Sequence, residues 1–222
     1  MYDEKNEIYF DNVRKDLLDL IPDDNKNKTI LEIGAGGANT LIYAKKNGYA
    51  QNIYGVELFK IENSNQTNSL LEKFILGDIE KIELPFENNK FDVIICGDVL
   101  EHLIDPYTII AKLKSFLKDD GVIIASIPNI REYKTMKTIF FKGDFKYTDS
   151  GILDKTHLRF FTKKNMIDLF KNNNYTIKNI VSSNKGDAMR FFKKLRFFKL
   201  FLQLFFEEFF TVQYFIVASK NK

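Results

Sequence analysis

Cysteine is almost missing from this chain: Cys96 is the only one in 222 residues. A single cysteine excludes a disulfide within the chain, and its place inside an apolar run predicts a packed thiol rather than a nucleophile or ligand. The first twenty residues are charged and lack the apolar core of a signal peptide, so we expect a cytoplasmic protein. A membrane span is not expected either, because Gln203, Glu207 and Glu208 interrupt the most apolar segment.

Composition favours one α/β domain over residues 1–222. The chain is 45% hydrophobic, which at this length is enough to bury a full core. Apolar spacing predicts helices over 6–20, after Pro106 and from Thr162 to about Phe170, with Gly121 just past the end of the second. Strands are predicted near 29–33, 52–56, 73–76, 91–96, 121–127, 175–182 and 212–219. This alternation implies a mostly parallel sheet with helices on both faces.

Three of the predicted strands end in small or acidic residues. A chain that turns sharply from a strand into a helix and approaches a ligand closely disfavours Cβ atoms, which explains Gly34 and Gly36. Glu57, at the end of the next strand, can accept hydrogen bonds from two ribose hydroxyls, and Asp78 follows one strand later, placed to meet an adenine amino group. The pattern predicts a nucleoside pocket. Asn39 occupies the sixth position of a G-x-G-x-x-G pattern, which weakens the alternative of a nicotinamide-dependent oxidoreductase or epimerase.

Together with the segments 91–103 and 121–129, these motifs resemble the class I S-adenosylmethionine-dependent methyltransferases, in particular the small-molecule branch, over about residues 29–182. The resemblance implies a Rossmann-like seven-stranded sheet of order 3-2-1-4-5-7-6, with an antiparallel edge hairpin, and S-adenosylmethionine as the cofactor. The family often has glycine where this chain has Ala38, so we expect the extra methyl group to narrow the pocket. The implied cofactor site comprises Glu32, Gly34, Ala35, Gly36, Glu57, Leu58, Gly77, Asp78, Ile79, Asp98 and Val99.

Within that site the resemblance implies a division of roles. Glu32, Gly34, Gly36, Asp98 and Val99 would lie beside the methionine portion of the cofactor. Glu57 would hold the ribose, and Asp78 with Ile79 would meet the adenine.

Proton removal from an acceptor hydroxyl needs a base, and the chain has only two histidines, His102 and His157. His102 follows the fourth predicted strand. It is a candidate base, and the alternative is a structural role as a hydrogen-bonded ring beneath the active site. His157 is a candidate for substrate contact or for the base. Asp154 is a candidate to orient His157, to act as the base itself, or only to form a turn. No metal site is predicted.

Residues 130–161 are too long and too polar for a simple connection, and their aromatic residues and hinge glycines predict an acceptor-binding cap. Lys155 and Arg159 are expected either to meet an anionic group of the acceptor, such as a phosphate, or to be solvated. The run 151–162 is similar to one in methyltransferases of surface-polysaccharide biosynthesis. That similarity implies a small, sugar-containing acceptor with a hydroxyl or amine to methylate.

The segment 185–210 is aromatic and basic. Its phenylalanines and leucines recur at helical spacing, and six basic side chains accompany one acidic residue, Asp187, between 185 and 199. Such a helix fits a lid, a homodimer interface or peripheral contact with the inner face of a membrane through 188–210. The basic cluster is too local for a nucleic-acid footprint. A non-catalytic, cofactor-binding or membrane-associated partner protein is the remaining alternative.

Overall fold

The computed structural model describes residues 12–22, 28–183 and 207–221. Within these ranges seven strands form one sheet in the order β3-β2-β1-β4-β5-β7-β6. The first five strands pair in parallel, whereas β7 is antiparallel to both β5 and β6. The sheet order and the edge hairpin confirm the predicted Rossmann-like fold. The strands are β1 (Thr29–Ile33), β2 (Asn52–Glu57), β3 (Lys73–Leu76), β4 (Phe91–Gly97), β5 (Leu117–Pro128), β6 (Tyr175–Ser182) and β7 (Gln213–Lys220).

Apolar side chains cover both faces of the sheet. In β1, Leu31 joins the core on one face and Ile30 joins the core on the other. Burial on both faces is what a mostly parallel sheet requires, and it explains the continuous apolar runs in its central strands. The helices α3 (Pro106–Phe116) and α5 (Lys163–Lys171) supply the Leu31 face, while α1 (Lys15–Leu18) and α2 (Asn39–Lys46) supply the Ile30 face.

Polar side chains cap the helices where the sequence suggested. Asp105 Oδ1 accepts hydrogen bonds from the backbone N–H groups of Tyr107 and Thr108, each at 3.1 Å, at the start of α3. Thr162 and Asn165 form a reciprocal capping box at the start of α5. These bonds satisfy N–H groups that a helix leaves without partners, so the caps fix where both helices begin.

Gly121 lies inside β5 and not at the end of α3, so that prediction was wrong. The helix ends at Phe116 and the strand begins at once with Leu117. A Cβ at position 121 would come within 2.9 Å of both Leu117 Cδ1 and the backbone oxygen of Phe91. The glycine is therefore required by close strand packing and not by a helix terminus.

The N-terminal helix is shorter than predicted. Within the described part of 6–20, only Lys15–Leu18 is helical, and Leu17 and Leu18 are fully buried. The helix does not extend through Arg14, because the backbone N–H of Arg14 donates to Thr40 Oγ1 at 3.2 Å instead of to an earlier backbone oxygen. The Arg14 side chain donates to Asp98. The prediction for 6–11 falls outside the described residues.

Most of the aromatic-basic segment also lies outside the described residues, so membrane contact, dimerisation and a lid all stay predictions, as does a cytoplasmic location. Residues 207–210 are helical and bind the turn after β5, where Asn129 Nδ2 donates to the backbone oxygens of Glu208 and Thr211 at 2.6 and 2.8 Å. Among the helices in the described ranges, none is both long and apolar enough to cross a membrane.

Cys96 is fully buried in β4, and burial raises the pKa of its thiol. The predicted packed thiol is confirmed.

Candidate active site

A cavity of about 410 Å³ opens at the carboxyl ends of the first four strands. This edge is where open parallel sheets bind their ligands, because the loops that follow the strands meet there. Every residue predicted to bind the cofactor lines this cavity: Glu32, Gly34, Ala35, Gly36, Glu57, Leu58, Gly77, Asp78, Ile79, Asp98 and Val99.

The turn after β1 brings backbone to the cavity wall. Gly34 and Gly36 have φ angles of +69° and +51°, in the left-handed region that favours glycine. A Cβ at Gly34 would lie 2.3 Å from Cγ2 of Val99, so no side chain fits there. The N–H groups of Gly34 and Ala35 both donate to the backbone oxygen of Val56, at 2.9 and 3.1 Å, which holds the turn against β2.

Glu57 at the end of β2 is fixed by backbone donors. Its Oε2 accepts from Gly36 N at 2.8 Å, and its Oε1 accepts from Leu58 N at 2.7 Å. Burial raises the pKa of this carboxyl group, and the backbone hydrogen bonds oppose the rise. Oε1 also accepts a longer hydrogen bond from Phe59 N, at 3.4 Å. Oε2 keeps a second lone pair, so the oriented group can still accept a hydrogen bond from a ligand hydroxyl.

Glu32 is a buried acid facing the same cavity. Burial raises its pKa to about 8, the positive charge of Arg14 counteracts that rise, and the charge of Glu57 adds to it. Among the described residues, its Oε2 has no hydrogen-bond partner. A buried carboxyl oxygen without a partner is costly, and a cationic ligand in the cavity would remove that cost.

Asp98 is held by three side chains. Arg14 Nη1 and Gln213 Nε2 donate to its two carboxylate oxygens, and Ser126 Oγ donates to Oδ1 at 3.0 Å. The residue has a φ of +54°, a left-handed conformation that aspartate tolerates better than most side chains. Its carboxylate is therefore oriented by the protein before any ligand binds. Arg14 also lines the cavity and carries a positive charge into it.

The turn after β3 holds Asp78. Its Oδ1 accepts from Glu80 N at 3.0 Å, and Lys81 Nζ lies 2.8 Å from Oδ2. The hydrogen bond from Lys81 lowers the pKa of Asp78, so this carboxylate stays ionised at neutral pH. Glu80 bridges to the loop after β4 by accepting from the N–H groups of Ile104 and Asp105, at 3.0 and 2.7 Å.

The two histidines meet at the far end of the cavity. Their rings make an edge-to-face contact with centroids 4.7 Å apart, and His102 lines the cavity whereas His157 is buried behind it. His102 Nδ1 lies 3.0 Å from the backbone oxygen of Thr156, and His157 Nδ1 lies 2.9 Å from that of Ile152. His157 Nε2 is 3.9 Å from Glu101 Oε1. Of the two predicted bases, His102 is the one placed to face a ligand.

Asp154 is buried and stabilises the turn that positions His157. Its Oδ1 accepts from the backbone N–H and the hydroxyl of Thr156, at 2.8 and 2.7 Å, and its backbone oxygen accepts from His157 N at 2.9 Å. It does not line the cavity, so its geometry matches the turn alternative.

Two cations of the predicted cap have partners within the protein. Lys155 pairs with Asp149 at 3.1 Å, and Arg159 Nε donates to the backbone oxygen of Ile104 at 3.0 Å. An anionic group of an acceptor would have to replace these contacts. Most of the cap is exposed: α4 (Tyr133–Lys142) buries no residue.

Ala38 does not narrow the cavity, so that expectation was wrong. The residue starts α2 with a φ of 65°, and its methyl group lies in the apolar core with Leu41 and Ala44. Ala38 is not among the residues that line the cavity. The extra carbon of Ala38 therefore adds backbone strain, because a residue with a Cβ disfavours the left-handed conformation, and it does not reduce the size of the pocket.

Several cavity residues were not predicted. Thr40 is buried on the first turn of α2, and Arg14 belongs to a charged segment that carries no motif. Only the tertiary position of the chain ahead of β1 reveals the place of Arg14, whereas the spacing of Thr40 from the glycine turn is a local signal. The other unpredicted lining residues are Asn12, Ile33, Val56, Phe59, Glu80, Gly97, Leu103, Ile104 and Leu158.

Comparison with known proteins agrees with this geometry. Residues 5–179 match a family model described as a methyltransferase domain. A ubiquinone biosynthesis O-methyltransferase of Glaesserella parasuis is 29% identical over 110 residues, which are 46% of this chain and 46% of that protein. A demethylmenaquinone methyltransferase of Staphylococcus aureus is 25% identical over 123 residues, covering 53% of this chain and 51% of that protein. The chain thus spans about half the length of these curated relatives.

One solved structure shows how far the fold similarity extends. A SAM-dependent methyltransferase of Archaeoglobus fulgidus superposes with a TM-score of 0.66, covering 97% of this chain and 95% of that one. Sequence identity is 16%, so the comparison shows the shared fold alone.

Proposed function

The chain belongs to the methyltransferase domain family, as its sequence motifs predicted, and we propose that it transfers a methyl group from S-adenosylmethionine to a small-molecule acceptor. The observation that carries the proposal is the buried carboxyl group of Glu32, which lines the cavity and whose Oε2 has no hydrogen-bond partner among the described residues. S-adenosylmethionine brings a sulfonium and an ammonium group, and such positive charge is what this carboxyl group needs in order to ionise while buried.

The other residues of the cavity fit the remaining parts of the cofactor. Glu57 would accept hydrogen bonds from the ribose hydroxyls, and Asp78 with Ile79 would bind the adenine. Arg14 would pair with the carboxylate of the methionine portion. The Gly34 turn would bring backbone close to the ligand. A side chain at this position would have no room beside Val99. Once bound, the sulfonium supplies the reactive methyl group, and the protein's task is to align the acceptor and remove its proton.

His102 is the group we propose for proton removal. A backbone oxygen can only accept, so the contact with Thr156 places the ring hydrogen on Nδ1 and leaves a lone pair on Nε2. A neutral imidazole with a lone pair directed at the acceptor can serve as a general base. The acceptor would enter beside Leu103, Ile104 and Leu158, which line the same end of the cavity.

For the acceptor, we keep a hydroxyl or amine of a sugar or glycan precursor as the first candidate, from the similarity of the run 151–162. A phenolic precursor of a quinone is the second candidate. The relative named ubiquinone biosynthesis O-methyltransferase favours it, and the relative named demethylmenaquinone methyltransferase favours a quinone-type ring, as does the apolar acceptor end of the cavity.

Calorimetric titration with S-adenosylmethionine, S-adenosylhomocysteine and NAD tests the cofactor. We expect the first two to bind and NAD not to bind; binding of NAD alone would favour the oxidoreductase alternative instead. Release of S-adenosylhomocysteine is then measured with nucleotide sugars, lipid-linked glycans and catechols as acceptors. Turnover dismisses the non-catalytic alternative, and the acceptor class that supports it decides between sugar and phenol.

A further inference from the structure

Glu101, His102 and His157 form a cluster at the acceptor end of the cavity. Glu101 and His102 belong to the short 3-10 turn Leu100–His102 after β4, whereas His157 comes from the loop ahead of α5. One carboxylate oxygen and one ring nitrogen from each histidine all lie within 4.8 Å of one another. These are the only two histidines in the sequence, and both are in the cluster.

Both imidazole rings are held in the tautomer that a metal ion requires. Each Nδ1 faces a backbone oxygen, that of Thr156 for His102 and that of Ile152 for His157. Because a carbonyl only accepts, each Nδ1 carries a hydrogen, and in the neutral ring the lone pair is then on Nε2. Metal-binding histidines almost always donate their other ring N–H to such a partner, which fixes ring orientation.

Backbone contacts fix the three side chains relative to one another. The N–H groups of Leu158 and Arg159 donate to the backbone oxygen of Glu101 at 2.8 and 2.9 Å. Glu101 is 1% exposed and His157 is 7% exposed, so water hydrates neither group well. Buried charged groups in proteins are paired or coordinate metals, and this carboxyl group faces two imidazoles.

We propose that Glu101, His102 and His157 bind a divalent transition-metal ion, with Zn²⁺ the ion that two imidazoles and one carboxylate suit best. Ligand atoms about 2.1 Å from zinc lie about 3.0 to 3.5 Å from one another, so the cluster would contract by roughly 1 Å on binding. Three protein ligands leave coordination positions for water or a ligand oxygen. His102 lines the cavity, so those positions would lie beside the acceptor end.

The site has a consequence for catalysis, and this consequence alone rests on the proposed function. A bound cation would take the Nε2 lone pair of His102, so the role of base proposed above applies to the metal-free protein. The cation would act as a Lewis acid instead: a hydroxyl bound to it would lose its proton more readily than a free one, and that proton would pass to water at the cavity. An acceptor with two adjacent oxygens, whether a sugar diol or a catechol, would suit a cation with open positions.

Co²⁺ titration of tag-free protein tests the site directly, because Co²⁺ reports its coordination by visible absorption. We expect one Co²⁺ per chain, displaced by Zn²⁺, with Mg²⁺ much weaker since it prefers oxygen ligands. Glu101→Gln, His102→Asn and His157→Asn should each weaken Co²⁺ binding at least about 100-fold. Asp149→Asn, an exposed acid in the same loop region, is the matched control and should bind as wild type.

Long-range ¹H–¹⁵N spectra of the imidazoles give a second readout that does not depend on any variant. Zn²⁺ should shift the Nε2 resonance of both histidines while both Nδ1 atoms stay protonated. Absence of Co²⁺ binding to folded wild-type protein would overturn the proposal, as would binding that survives all three substitutions. S-adenosylhomocysteine binding is measured on the same samples. Variants that lose Co²⁺ but still bind S-adenosylhomocysteine are folded, and wild-type protein that binds Co²⁺ but not S-adenosylhomocysteine would contradict the proposed function and not the metal site.

Discussion

The guanidinium group of Arg14 donates to the carboxylate of Asp98, joining the chain ahead of β1 to the residue that follows β4. Arg14 also forms two parallel hydrogen bonds to Asp16, at 3.0 Å each, so its planar group is held by two acids. Both Arg14 and Asp98 line the cavity. The positive charge is therefore oriented before a ligand arrives, and Glu32 lies within its electrostatic influence.

Arg14→Gln should weaken binding of S-adenosylhomocysteine about tenfold or more, because it removes a charged partner of the methionine carboxylate. It should leave binding of 5′-methylthioadenosine, which has no amino-acid portion, unchanged. Calorimetry with both ligands checks this. Arg131→Gln is the control, since Arg131 pairs with Glu208 at 2.5 Å and does not line the cavity. An equal loss for both ligands would show that Arg14 acts on the fold and not on the carboxylate.

Glu57→Gln should weaken all three adenosine ligands alike, by about 10- to 100-fold, because charge-assisted hydrogen bonds contribute about 1.5–3 kcal/mol. S-adenosylmethionine, S-adenosylhomocysteine and 5′-methylthioadenosine share the ribose that this carboxylate would hold. Glu62→Gln is the control, since Glu62 is exposed and pairs with Lys60 at 2.8 Å. Unchanged affinity for Glu57→Gln would count against the ribose assignment and against the proposed cofactor.

Gly34→Ala and Gly48→Ala separate a steric requirement from backbone strain. Both glycines have a left-handed φ, +69° and +79°. A Cβ at Gly34 would meet Val99 at 2.3 Å, whereas one at Gly48 would meet no atom of the described residues within 4 Å. Gly48→Ala should cost about 1 kcal/mol of unfolding free energy and leave ligand affinity unchanged. Gly34→Ala should cost more and should also weaken S-adenosylhomocysteine binding.

Chemical denaturation and calorimetry measure both effects. The double variant Gly34→Ala with Val99→Ala should recover part of the stability, because it removes the atom that the new Cβ would meet. Equal behaviour of the two single variants would show that the turn after β1 tolerates a side chain.

The sequence predicted the sheet well because strand ends and turns are local signals. Gly34, Glu57 and Asp78 each follow an apolar run directly, so their positions at one edge of a parallel sheet follow from the alternation of strands and helices. The same local logic failed for Gly121, whose role depends on the neighbouring strand, and for Ala38, whose methyl group points into the core.

Non-local contacts explain what the sequence could not show. His102 and His157 lie in different loops, and no spacing rule brings two residues so far apart into one ring contact. The sequence places Glu101 only within the motif segment 91–103, because its burial against His157 depends on how the later loop folds back. Arg14 likewise enters the cavity only through the path of the chain ahead of β1.

Glu32 should make stability depend on pH. Its pKa is about 8 in the folded protein and near 4.5 when exposed, so between these values the folded state keeps a proton that the unfolded state has lost. Stability should therefore fall as pH rises through that window, by at most about 1.4 kcal/mol per pH unit, and level off above the folded pKa. Glu32→Gln, which cannot ionise, should remove this part of the slope in denaturation curves taken from pH 5 to 8.

The same carboxyl group should release a proton when a cationic ligand binds. At pH 7 the buried acid is mostly protonated, and a sulfonium and ammonium beside it favour the ionised form, so binding of S-adenosylmethionine should expel about one proton. Calorimetry in buffers of different ionisation enthalpy counts that proton. Glu32→Gln should abolish the release, and 5′-methylthioadenosine, which has neither charge, should not cause it in wild type. A binding enthalpy that is the same in every buffer would mean that Glu32 is already ionised or lies away from the charged end of the ligand.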